Sequence, residues 1–252
     1  MTSATVSRLF RATALASVAV FGLVACGADD TETPATPNTN GASDLEIPEA
    51  PEETDQEIGL AETLETDFEV TSTATLQDQW PDLTAMAQAL SGTEDPDLCQ
   101  QAGATQYQLL VDAQPPSVQA TIDPDAVLDE QASGETVTVF YANESAGAQR
   151  LHEVHQATDA QCVEEYESAI DHEVTDTTAG ETDVEVHTWQ VVASDQLTGR
   201  MVDVVGDDIL LRYAAAYPPQ VLVEELDEDV AEAFNTAATE RALAMFDAAA
   251  SQ

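Results

Sequence analysis

The chain has 252 residues and carries 49 Asp and Glu against 6 Lys and Arg, a formal net charge of −43. All six basic residues are arginine (Arg8, Arg11, Arg150, Arg200, Arg212, Arg241), and the absence of lysine excludes P-loop nucleotide clamps, Schiff-base chemistry and a kinase phosphate-positioning lysine. So large a negative charge also opposes binding to a nucleic-acid backbone and to anionic lipid head groups.

The first element is a leader over residues 1–26. Arg8 and Arg11 precede an apolar run from Ala12 to Ala25 that is too short to remain as a spanning helix. The run ends Leu23-Val24-Ala25-Cys26-Gly27, which resembles a bacterial lipobox. That resemblance implies a diacylglyceryl thioether on Cys26, cleavage before it, and a protein held at the cell membrane facing the extracytoplasmic side. The plainer alternative is an ordinary signal peptide, or an uncleaved anchor, with an incidental cysteine. Two or more acyl chains make the attachment stable, because one chain binds only marginally. With Cys26 acylated, Cys99 and Cys162 remain of the three cysteines. In an oxidising compartment they form a disulfide or stand as two unrelated thiols, one of them buried.

Residues 27–75 read as an acidic tether. Fourteen acids and no base lie between Asp29 and Glu69, and Pro34, Pro37, Pro48 and Pro51 oppose regular structure. A short helical segment within Ile58–Leu64 is the one break in that pattern.

Residues 76–252 read as the folded domain. Asp82–Leu90 is predicted helical, with Leu83, Met86, Ala87 and Leu90 on one face and Gly92 ending it. Val118–Ile122 and Thr136–Tyr141 are predicted strands, the second rich in alternating β-formers. Ser145 to about Ser168 is predicted helical with a break, and carries Cys162. Three strands follow at Val184–Val192, Leu197–Val204 and Ile209–Ala215, the last two joined by a turn at Gly206-Asp207. A long helix from about Gln220 to Ala250 closes the chain. Leu222, Leu226, Val230, Phe234 and Ala238 recur along it every four residues, and Ala242 and Phe246 continue the stripe. This order predicts an α+β fold: a largely antiparallel sheet with packed helices, in a single domain after the tether.

The order of these features resembles the extracellular sensor domain of PknH-type bacterial serine/threonine kinases, here as a stand-alone lipoprotein. The likeness rests on Cys99 after a helix, the Val-Thr-Val-Phe strand, and Cys162 in Asp159-Ala160-Gln161-Cys162. It continues through the Trp189 strand, the Arg200 strand, the Gly-Asp-Asp-Ile-Leu hairpin and the Ala-rich final helix. It implies a non-enzymatic domain with a cleft for an extracellular ligand, and no cofactor. Members commonly carry a second disulfide in the late strands. Leu197–Ala215 has no cysteine, so only a Cys99–Cys162 bridge can correspond.

Candidate chemistry is sparse. His152 and His155 lie three apart on a helix and, with His172 and His187, make zinc conceivable, although the spacing is not that of a helical zinc protease. A partly buried helix histidine is the plainer reading of His155, which shares a face with Leu151. Trp189, Arg200 and Arg212 are the candidate ligand-binding residues, because a guanidinium is rare here and two fall on neighbouring strands. The alternative is that acids pin these arginines. Arg150 and Arg241 read as helix-surface residues. The expected function is binding an unknown small ligand or an envelope protein; a structural or assembly role through protein–protein contacts is the alternative. Acid excess without lysine suits a protein kept hydrated in strong salt. The melting temperature should then climb steeply with sodium chloride, and a flat response would rule this out.

Overall fold

The computed structural model describes residues 48–68, 70–122, 134–165, 169–193, 196–216 and 228–252, all within one compact unit, Thr39–Gln252. The leader, Cys26, the first part of the tether and the stripe residues Leu222 and Leu226 lie outside the described residues. Among those described, no helix is long and apolar enough to cross a membrane.

The elements in chain order are α1 (Asp55–Asp67), β1 (Val70–Thr75), α2 (Leu76–Ser91), α3 (Leu98–Ala113), β2 (Ser117–Ile122), β3 (Gly134–Tyr141), α4 (Ala148–Glu165), β4 (Ala169–Ala179), β5 (Thr182–Ala193), β6 (Gln196–Val205), β7 (Ile209–Ala216) and α5 (Glu228–Ala250). The strands form one antiparallel sheet in the order β1-β2-β3-β7-β6-β5-β4. Strands β4 to β7 run as a meander, and Gly180 supplies the positive φ of 59° at the β4–β5 turn. The expected α+β class, the antiparallel sheet and the long C-terminal helix are all present.

The folded part starts earlier than residue 76. Thr54 and Glu57 form a reciprocal capping box at the start of α1, and Leu60 and Leu64, one turn apart, are fully buried. β1 then joins the sheet edge against β2. The acids of this stretch lie largely on the outer face of α1, so the segment that composition assigns to a tether is amphipathic and belongs to the core. Glu57 itself is 2% exposed. Its Oε2 accepts from the Thr54 amide and hydroxyl, and its Oε1 accepts from the amides of Leu76 and Ser117. One carboxylate thus ties the starts of α1, α2 and β2 together.

Strand alternation divides the side chains between two helical layers. On one face Val118, Ala120, Val137, Val139, Val202, Val204, Leu211 and Tyr213 pack against Leu60 and Leu64 of α1 and against Phe234, Ala238, Ala242 and Phe246 of α5. The α5 residues are those of the predicted four-residue stripe. On the other face Phe140, Val205 and Leu210 meet Ala148 and Leu151 of α4 and Leu110 and Ala113 of α3. Arg241 is no plain surface residue: it donates from Nη2 to the Phe68 carbonyl and so fastens α5 to the end of α1.

A disulfide joins Cys99, at the start of α3, to Cys162, near the end of α4, with the Cα atoms 4.3 Å apart. It closes a 63-residue separation. The chain-entropy relation makes that worth about 4 kcal/mol.

Candidate functional site

The α4 face of the sheet carries a polar cluster beside its apolar core. Register places it. Asp203 on β6 is paired with Arg212 on β7 and with His187 on β5, while Trp189 on β5 is paired with His172 on β4. Residues two apart on a strand share a face, so His187 and Trp189 lie side by side, and α4 lowers His152 onto them from above.

Asp203 and His152 are each 1% exposed. His152 Nδ1 lies 3.1 Å from Asp203 Oδ2, and Arg212 Nε donates to Asp203 Oδ1 and Oδ2 at 3.0 and 3.2 Å. Arg212 Nη2 donates to Asp159 Oδ2 at 2.6 Å, which ties β7 to α4. Burial alone would raise the Asp203 carboxyl, but the Arg212 guanidinium and the His152 ring outweigh it and hold the group below the usual carboxylate range. Arg212 is correspondingly raised: burial works against its charge, and Asp203 and Asp159 more than compensate. Burial pushes Asp159 up, with Arg212 opposing.

The imidazoles extend this cluster toward the sheet edge. The His152 and His187 ring centroids are 4.1 Å apart. His187 Nε2 touches Glu185 Oε1, and its Nδ1 is 3.1 Å from His172 Nε2. His172 lies over Trp189 with centroids 4.9 Å apart and planes within 4°. His172 is exposed, whereas His187 and Trp189 are buried. His152 Nε2 is buried and has no hydrogen-bond partner among the described residues.

The sequence candidates separate on this frame. Trp189 and Arg212 belong to the cluster. Arg200 does not: it is paired with Gln190 and Ala215, three residues from Asp203, which turns it to the opposite face of the sheet, where it is buried. Neighbouring strands therefore do not bring the two guanidinium groups together. The pinned reading fits Arg212, whose two carboxylate partners occupy it. His155 also departs from His152. Its Nδ1 lies 2.7 Å from the Leu151 carbonyl and its ring sits against Phe140, so the two helix histidines serve different surroundings. Burial chiefly, aided by Arg212, lowers His155 to about 3. Among the described residues, no group of three or more His, Cys, Asp or Glu is arranged to hold a metal ion.

Sequence reading did not single out Asp203, Asp159 and Glu185. A signal for Asp203 was present: it is the lone charge in Met201-Val202-Asp203-Val204-Val205, a strand apolar on both faces. A charge in such a strand needs a partner, and the next strand offers Arg212 in register. No family model matches this chain, and neither a curated protein nor a solved structure matches it.

Proposed function

We propose that this chain is an exported lipoprotein, anchored through Cys26 to the cell membrane on the extracytoplasmic side, whose domain is a non-enzymatic, sensor-like binding module of the PknH-type extracellular kind. The observation that carries the binding reading is the uneven cover of the sheet. α4 lies over β6 and β7, whereas on β4 the residues of the same face, His172, Val174 and Asp176, are exposed directly beside the buried cluster. A ligand settling on this shelf would touch His172 and, through it, His187 and His152. The disulfide supports export, since such bridges persist in oxidising compartments. The buried Asp203–His152 pair has the form of a base and its orienting acid. At 1% exposure its free nitrogen is out of a substrate's reach, which favours binding over catalysis.

Two experiments test the proposal. Expressed with its own leader, the protein should fractionate with membranes and incorporate labelled palmitate, and Cys26→Ala should lose both; unchanged fractionation would remove the anchor. For binding, amide-resolved NMR with a panel of neutral sugars, polyols and small amines should perturb His172, Val174 and His187 together, and His172→Ala should abolish the effect. If no member of the panel acts there, the structural alternative gains. In that reading β4, the open edge strand with Val174 51% exposed, meets an envelope protein.

A further inference from the structure

Three of the four histidines of this chain, from a helix and two strands, make one continuous chain of contacts. Its geometry fixes where the protons sit. His172 Nε2 and His187 Nδ1 are 3.1 Å apart, the ring centroids are 5.4 Å apart, and the planes differ by 14°. That centroid distance is the N···N distance extended by one ring radius at each end. The two nitrogens therefore face each other head on, with room for a single proton between them. Glu185 is a carboxylate acceptor at His187 Nε2, so His187 carries its proton there and offers Nδ1 as a lone pair. His172 Nε2 is then the donor, and its Nδ1 is the next nitrogen to take a proton. His152 donates from Nδ1 to Asp203, which leaves Nε2 as a buried lone pair.

The charged and titratable groups around this chain come from five elements. α4 contributes His152 and Asp159, β4 contributes His172 and Asp176, and β5 contributes Glu185 and His187. β6 contributes Asp203 and β7 contributes Arg212. With neutral imidazoles, four carboxylates stand against one guanidinium, so the cluster has an electrostatic deficit that protons can fill.

We infer that the His152–His187–His172 cluster is a two-step proton latch on the edge strand β4: a first proton, taken at His172, tightens β4 onto β5, and a second, taken deeper in the cluster, releases it. The first step turns the His172–His187 contact into a charge-assisted hydrogen bond and sets a cation over the face of Trp189. The second step places a proton on His187 Nδ1, where it meets the N–H of His172, or on His152, whose ring abuts His187. Either brings like charges together, and His172, the exposed member, is the one free to move. Partial desolvation where the ring lies against its neighbours, with His187 and His152 alongside, holds His172 below the ordinary histidine value, so the latch works on the acid side of neutrality. The two protonations belong to the cluster and not to single rings. The latch stands apart from the ligand reading, since it requires only the proton.

The test is a pH titration from 8 to 4 on the intact domain, reading the imidazole resonances by NMR and the emission of Trp189 in a Trp80→Phe background. The expected result is biphasic. Trp189 emission is first quenched by the stacked imidazolium and then recovers, while amide protection of β4 rises and then falls. His172→Gln, a change at an exposed position, should abolish both phases. His155→Gln, outside the cluster, should leave them in place. Three independent single-proton curves in the native protein would overturn the latch, as would the same biphasic profile in His172→Gln. If Trp80→Phe perturbs the fold, the imidazole curves of the native protein decide the matter alone. A failed ligand screen would not touch this result, and a monophasic titration would not touch ligand binding.

Discussion

Glu57 and Asp203 are both buried carboxylates, 2% and 1% exposed, and they are solvated in opposite ways. Three of the four hydrogen bonds to Glu57 come from backbone amides and the fourth from a hydroxyl, none of which changes charge in the physiological range. Among the described residues Asp203 is held by side chains alone, a guanidinium and an imidazole, and that imidazole leads through His187 to His172. The first arrangement fastens chain segments together through donors that carry no charge. The second makes the packing of α4 on β5 and β6 depend on protonation. The same acid thus serves as a rivet at one end of the sheet and as a member of a titratable cluster toward the other.

The largest expected effect breaks the second arrangement outright. Asp203→Ala leaves the half-buried Arg212 and the buried His152 without their shared partner, and removing one side of a buried ion pair costs about 3–5 kcal/mol. Urea unfolding at neutral pH should show that loss, with Asp203→Asn intermediate because it keeps hydrogen bonds without charge. A loss below about 1 kcal/mol would mean that water reaches Arg212 and solvates it.

Removing the disulfide comes next, at about 2–4 kcal/mol for Cys99→Ala with Cys162→Ala. The bridge sits one helical turn beyond Asp159, so its loss should loosen the Arg212 tie more than the Glu57 rivet. Hydrogen exchange should therefore quicken in α4 and β6 before α1. Uniform quickening would show that the bridge acts only on the unfolded chain. Glu57→Gln is a smaller change. It replaces one acceptor oxygen with an NH₂ that must face either the Thr54 amide or the pair from Leu76 and Ser117, for about 1–3 kcal/mol. Urea unfolding of the variant beside the native chain measures that loss, and a loss near zero would show that the three segments do not depend on this carboxylate.

Much of this fold is legible along the chain, because β3, β5, β6, β7 and α5 bury regular apolar patterns. The predicted break in α4 is absent: it runs continuously from Ala148 to Glu165. What stays hidden has physical causes. β4 is an edge strand whose Glu173 to Thr178 are exposed, so it needs no apolar alternation to sit in the sheet. α3 is rich in Gln and Ala and contains Gly103, where a Cβ would press against Leu90 at 3.3 Å; the glycine serves close approach to α2 and reads as a helix breaker. α1 is masked by its own acids, although Thr54-x-x-Glu57 is a capping box in plain sight. At the candidate site, rarity singled out Trp189 and Arg212, but no spacing along the chain reports the register that sends Arg200 to the other face and brings Asp203 beneath His152.

The smallest effect at neutral pH is also the sharpest probe of the comparison, because His155 shares α4 with His152 yet, among the described residues, is hydrogen-bonded to a backbone carbonyl and not to a carboxylate. It is buried and held to about 3, against about 6.5 in an unfolded chain. Between those values the unfolded state binds a proton that the folded state refuses, so stability falls as pH drops through this window and is unaffected above it. The slope from this one group is about 1.4 kcal/mol per pH unit. His155→Gln should cost little at pH 8, apart from the lost contact with Phe140, and should remove that slope below pH 6. Urea midpoints at pH 8, 6 and 5 for the native and variant chains measure the difference, and parallel curves would show that His155 takes its proton without unfolding. If the slope vanishes in His155→Gln while the biphasic titration of the other three rings persists, one helix carries both kinds of buried histidine. One refuses the proton because burial and Arg212 oppose its charge, and the other is built to share it.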